Sequence, residues 1–376
     1  MSERGSNSVR TIPSGGFVER VMPMADGLHD PPRWLCDRVT TYIESVTAST
    51  ASGEPFREGQ HQEAMSGVET TVWALASLRH VHADTAVTRM RDRIVASLNL
   101  AFNAELELYE PTKNQVPGGV GRWRLHNDVV VRLGFEFLGK QARGFPQGLE
   151  RLQLFPWVPQ GERSVDGWLE QVWSGDTRAA AKETFQYLWL YTGLAGIQTF
   201  RQLDSTSRRV LAFLESRRDA GSGFIGMDYG MELGWAMRGH RNLALNLLWP
   251  LGIGEPWLTR MIDATLACQR SDDLFHDGGM CANMDAVHLL AEYGHRTAYR
   301  QRGVRDAVRR CVRAMVDRLA ATGGGYHFEL SDVAESESSR SRTTNGLAFV
   351  LFTLRYLQAM DPEARDDLGH VLNGRV

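Results

Sequence analysis

The densest run of chemically capable side chains is HDGGMCANMDAVH, residues 276–288. It carries His276, Asp277, Cys281, Asp285 and His288. The spacing of Cys281, Asp285 and His288 brings all three to one face of a helix. Three such groups could ligate a metal, but the paired Cys or His of a structural zinc site is missing, so packing on a buried helix competes with ligation. Asp285 is the sharper signal. A carboxylate on an otherwise apolar helix is costly unless it is paired or used. Among aromatic rings it holds a proton more readily than in water and could deliver it to a C=C bond. The cation formed would need aromatic faces around it.

Three further loci carry polar groups. Arg124-Leu125-His126-Asn127-Asp128 opens a second apolar run, and His126 and Asp128 are expected as polar lining. Asp176 and Thr177 read as helix caps before Glu183. Met237-Arg238-Gly239-His240-Arg241-Asn242, with Arg340 and Arg342, could bind a diphosphate, because guanidinium forks match phosphate oxygens. Segment 335–342 (ESESSRSR) reads better as a solvated loop. The run Asp272-Asp273-Leu274-Phe275-His276-Asp277 resembles an aspartate-rich magnesium motif, but it falls in a turn rather than on a helix. Gly323-Gly324-Gly325 has no GK[ST] after it, and GxSxG and HExxH are absent from the sequence.

These residues are positioned by a repeat. Phe224, Phe275 and Tyr326 are each 51 residues apart, and each follows an amphipathic stretch and a polar or Gly turn. Earlier steps fall on Trp173 and beside Trp123. A second, more apolar stretch follows each aromatic: 231–251, 283–294 and 343–357, with earlier counterparts at 177–194, 126–139 and 63–80. Runs such as VVVRLGFEFLG and LAFVLFTLRYL are apolar nearly all round, as expected of helices buried on both sides. The stretches before them, such as VRDAVRRCVRAMVDRLAA, are one-sided. Six outer–inner pairs of about 50 residues cannot each bury a face alone and must stack. The expected fold is therefore all-α, an (α/α)6 toroid over residues 31–376, with an open solenoid as its competitor. Residues 1–30 are expected to form a flexible arm that could cover the ring's mouth.

The repeat resembles that of the squalene-cyclase and prenyltransferase superfamily. The best copies are ATLACQRSDDLFHDGG with MCANMDAVHLLAEYG, and RAMVDRLAATGGGYHF with TTNGLAFVLFTLRYL. The likeness covers about the last 170 residues well and the first 200 faintly. It implies architecture before activity. In class II terpene cyclases a DxDD motif opens an inner helix, and its middle acid protonates the substrate. Asn283-Met284-Asp285-Ala286 stands at that place, with Asp285 as the middle acid and Asn283 and Ala286 replacing the outer two. In the protein prenyltransferases the same helix opening supplies Asp and Cys to zinc. Cys281 matches loosely, and no His stands near 343–346.

Three functions follow. The first is an isoprenoid cyclase with Asp285 as acid, Asp128, His126 and His288 in support, and a cavity lined by Trp73, Tyr187, Trp189, Trp235, Arg238, His240, Asn283, Asn345 and Phe349. No resident cofactor is expected, and Mg2+ enters only if the substrate is a diphosphate. The second is a carbohydrate-active enzyme with an Asp128–Asp285 acid–base pair and tryptophan platforms. The third is a binding ring without chemistry. A formal charge of −3 gives no electrostatic support for nucleic acid or an anionic membrane surface. No run reaches the roughly 18 apolar residues of a membrane span. Four cysteines, none in CxxC spacing, and no apolar leader in 1–30 lead to a cytoplasmic expectation.

Overall fold

The computed structural model describes residues 27–48, 67–104, 108–109, 124–140, 142, 200–203, 205–225, 232–243, 248, 256–276, 279–321, 326–327 and 342–372. Their structure is mainly helical. The helices are α1 (Arg33–Ala48), α2 (Gly67–His80), α3 (Asp84–Leu100), α4 (Arg124–Phe137), α5 (Ser205–Ser216), α6 (Leu233–Leu243), α7 (Leu258–Ala267), α8 (Met280–Arg296), α9 (Gln301–Ala321), α10 (Thr344–Met360), α11 (Pro362–Asp366) and α12 (Leu368–Val371). Two small antiparallel ladders join β1 (Phe102–Asn103) to β2 (Leu108–Tyr109) and β3 (Tyr326–His327) to β4 (Arg342–Thr343).

Burial divides the helices into the two classes that the composition implies. In α8 every residue from Ala282 to Ala291 is buried, and in α10 every residue from Gly346 to Leu354. α2 is buried from Thr70 to Leu78. By contrast, α9 buries Val304, Val308, Cys311, Val312 and Met315 while its arginines face out, the one-sided pattern of a covering helix. α1, α3 and α7 follow the same rule.

Five of the helices pack side by side in the order α6, α8, α10, α2, α4. The last of them in the chain, α10, therefore lies against the first, α2. Gly134 allows the α2–α4 approach, since a Cβ there would stand 2.7 Å from Val72 Cγ2. A short N-terminal segment seals the α2–α10 seam. Leu28 N–H donates to His80 O at 2.8 Å, and the Leu28 side chain is buried. The Gln358 amide, on α10, donates to His29 O at 2.6 Å and accepts from His29 N–H at 2.9 Å. The arm expected over 1–30 is thus tied down from Leu28 onward, and residues 1–26 lie outside the described set.

Two of the aromatic marks of the repeat, Phe224 and Phe275, sit in matching turns. Phe224 and Phe275 are both fully buried. Arg218 bridges Ile225, and Gln269 bridges Phe275, across each turn in antiparallel pairing. Tyr326 pairs with Thr343 in the third copy. In the first of these turns Gly223 has φ +79°, and a Cβ there would crowd Met261 and Trp257 at 2.9 Å, so the turn needs glycine.

Candidate functional site

Asp285 lies in the first half of α8, and its side chain is 3% exposed. It faces α6, where Arg238 and Arg241 are one helical turn apart and so share a face. Arg241 Nε stands 3.3 Å from Asp285 Oδ1, and Arg238 Nε 3.7 Å from Oδ2. Both arginines keep some solvent access, at 11% and 15% of their side chains. The Cys281 thiol, one turn before Asp285, donates to Oδ2 at 3.5 Å. Burial first, then the neighbouring carboxylate, pushes that thiol up to about 11, so it is protonated at neutral pH.

His288 extends the cluster. Arg241 Nε and Nη2 both approach His288 Nδ1 at 3.2 Å. A guanidinium only donates, so Nδ1 accepts and the ring proton sits on Nε2. The Tyr356 hydroxyl, from α10, lies 2.9 Å from the same Nδ1, and the two rings stack at 4.0 Å. Burial, then Arg241, holds His288 well below the ordinary imidazole range. It is a neutral base at pH 7. Nε2 is buried and has no hydrogen-bond partner among the described residues. Burial raises the Tyr356 hydroxyl above its usual value, and burial also raises Glu292.

An aromatic group lies on the neighbouring seam. Trp73 of α2 meets Phe349 at 5.1 Å and Phe352 at 5.9 Å, both edge-on. His80 meets Phe352 at 4.4 Å. Phe349 and Tyr356 are seven residues apart on α10, so they share a face about 10 Å apart. The α10 face therefore runs from the Trp73 group to the His288 group.

Other sequence candidates have different surroundings. Asp128 is fully buried, and both its oxygens are engaged: Oδ1 accepts from Tyr109 N–H at 2.9 Å and Oδ2 from Arg132 Nε at 2.6 Å. A second Arg132 nitrogen reaches Oδ1 at 3.1 Å. Burial pushes this carboxyl up while Arg132 opposes the shift. Asn283 performs the same service in the later repeat. Its Oδ1 accepts from Phe275 N–H at 2.8 Å, and its Nδ2 donates to Gly279 O at 2.8 Å. Both residues brace an aromatic turn against the start of a buried helix. His240 is buried too, with its ring 5.5 Å from Phe224. Asp272 and Asp273 lie in the turn, where Arg318 and Arg310 of α9 pair with them at 3.0 and 2.9 Å.

His126 lies in the first turn of α4, Trp235 in α6 and Asn345 in α10, but their side chains are outside the described set, as are Tyr187 and Trp189 entirely. Comparison with family models, curated proteins and solved structures finds no match to this chain. Among the described residues no group of three or more His, Cys, Asp or Glu side chains could hold a metal ion, and no helix is long and apolar enough to cross a membrane. The surroundings of Asp285 carry two guanidiniums, a donor set that repels a resident cation.

Sequence reasoning missed Tyr356 and took Arg241 only as one member of a basic run. Two signals were present. Arg238 and Arg241 have the three-residue spacing of one helix face, and Tyr356 continues the face of Phe349.

Proposed function

We propose that the chain is an enzyme of the isoprenoid-cyclase kind, built as an α/α toroid, and that it acts on a linear isoprenoid diphosphate. The observation that carries the reading is the convergence of Arg238, Arg241, Asp285, His288 and Tyr356 from three adjacent buried helices, beside an aromatic seam. Ring closure is supported by the packing of α10 against α2.

In this reading the two guanidiniums take the diphosphate, since charge-assisted forks suit its oxygens. Mg2+ would arrive only with the substrate. The apolar chain lies toward Trp73, Phe349 and Phe352, whose π faces stabilise a carbocation without trapping it. Asp285 donates its proton to a C=C bond of the chain folded back against it: the O–H bond breaks, a C–H bond forms at one carbon, and the positive charge remains on the other. Ring closure moves the cation along the chain. Loss of a proton to water ends the sequence and leaves one more ring and one fewer C=C bond. His288, neutral and fixed by Arg241, orients the pair rather than donating.

The carbohydrate reading draws no support from this geometry, because Asp128 has both oxygens engaged by Tyr109 and Arg132. The test is product analysis by mass spectrometry. The purified full chain is incubated with a panel of linear isoprenoids and isoprenoid diphosphates beside Asp285→Asn. A cyclised product from the native chain, absent with the variant, supports the reading. No product from any isoprenoid, with both proteins folded, overturns it.

A further inference from the structure

The same cluster contains a competition. The contacts of Asp285 with Arg238 and Arg241, at 3.7 and 3.3 Å, are longer than a charge-assisted hydrogen bond of about 2.8 Å. Asp128 shows what a committed pair looks like in this protein, with a two-pronged fork at 2.6 and 3.1 Å to Arg132. Asp285 instead bridges two guanidiniums loosely from the inside, at 3% exposure, while both arginines retain an outer, solvent-reached side. An incoming anion would meet the arginines from that side and compete with Asp285 for the same positive charge.

We propose that Asp285 is an internal counter-anion, displaced from Arg238 and Arg241 by the anionic head group of the ligand, and that the released carboxylate then takes a proton from water. The inference rests on the head-group reading above and deepens it. It gives the acid its proton only when a ligand is seated. The balance is simple: one O–H bond forms on Asp285, the proton comes from solvent, and nothing is oxidised or reduced.

The neighbours of Asp285 allow this. From α6 come Arg238 and Arg241, permanently charged. From α8 come Cys281, a protonated thiol, His288, a neutral ring, and one turn further Glu292, whose carboxyl burial raises. From α10 comes the Tyr356 hydroxyl, also neutral. Among these described groups the guanidiniums are the ones that favour a charged Asp285 at neutral pH. An anion seated on them removes that support and adds like charge nearby, and both effects favour the protonated acid.

The test is isothermal titration calorimetry of the full chain at pH 7, in buffers of different ionisation enthalpy, so that protons taken up on binding are counted. Two probes are used. Sulfate carries no exchangeable proton at this pH, so any uptake belongs to the protein. Inorganic pyrophosphate matches the proposed head group. The expected result is proton uptake with both probes in the native chain, lower by up to one proton in Asp285→Asn. That variant should also bind pyrophosphate about tenfold more tightly, because one competing charge is gone. Binding without uptake, or equal uptake in both proteins, overturns the proposal. Sulfate uptake in the native chain tests it even where Asp285→Asn does not fold. Equal pyrophosphate binding by native chain and Arg238→Gln/Arg241→Gln would sink the head-group reading itself, and this proposal with it.

Discussion

Gln358 ties α10 to the N-terminal segment that lies on α2, and removing its amide should loosen that join by a predictable amount. The side chain is 1% exposed and spans to His29 with one donated and one accepted hydrogen bond. Two such bonds contribute about 1–3 kcal/mol together. Truncation to alanine returns side-chain entropy of up to about 1.5 kcal/mol, but leaves a small cavity that offsets it. The net expectation for Gln358→Ala is about 2 kcal/mol. For a cooperative chain of 376 residues, unfolding entropy of about 2.1 cal/mol/K per residue gives roughly 0.8 kcal/mol/K. The melting temperature should therefore fall by about 2–3 °C. A shift so small needs a local readout beside it, and amide exchange provides one. In the native chain the His29 N–H is held by Gln358, and in the variant it should exchange at the rate of an open segment. Unchanged protection at His29, with an unchanged melting curve, would refute the clasp between α10 and the segment that lies on α2.

Two further outcomes follow from buried charge. Arg132→Ala leaves Asp128 with its Tyr109 contact but no counter-charge, and should cost about 3–5 kcal/mol in denaturant unfolding, while Arg132→Ala/Asp128→Asn should recover part of that loss. His80 is fully buried, and burial lowers it to about 4 from an ordinary 6.5. Its folded value lies below its unfolded one, so the stability it protects is fully present above about 6.5, and falls as pH drops toward 4, by about 3 kcal/mol in all. His288 acts with the same sign. Urea midpoints at pH 7 and pH 4.5 should differ less in His80→Gln than in the native chain, and an equal difference would refute the assignment.

Much of the helical plan was legible because it rests on periodicity. The 51-residue spacing of Phe224, Phe275 and Tyr326 reflects a turn expected to bury one aromatic per repeat, and the burial of Phe224 and Phe275 bears that out for two of the three. The distinction between LAFVLFTLRYL and VRDAVRRCVRAMVDRLAA reflects helices wetted on no face or on one. The clasp was not legible. Gln358 and His29 are 329 residues apart, and nothing in either local sequence marks a partner at that distance. The expected arm over 1–30 rests on composition, which reports local propensity and not docking, so the contacts of Leu28 and His29 are not legible in it.

The candidate acids show the same limit at closer range. Asp128 and Asp285 read alike in sequence, each a carboxylate near the start of a buried helix. Their surroundings separate them. Asp128 corresponds in role to Asn283, not to Asp285, since Asp128 and Asn283 each accept a backbone N–H from the aromatic turn behind them. Asn283 and Asp285 are two residues apart and so point about 200° apart around α8. One serves the turn and the other faces α6. The resemblance to an acidic motif thus joins two residues with opposite duties, and an Asn at the first is what a turn brace permits. The acid that remains is Asp285, and its partners, Arg238 and Arg241, come from a segment about 45 residues away. A carboxylate's neighbours decide whether its charge is closed within a pair or left between longer contacts. At Asp128 the neighbour is its own helix's Arg132, four residues on, and the pair is closed. At Asp285 the neighbours belong to another helix and reach solvent, which is the arrangement an incoming anion can enter.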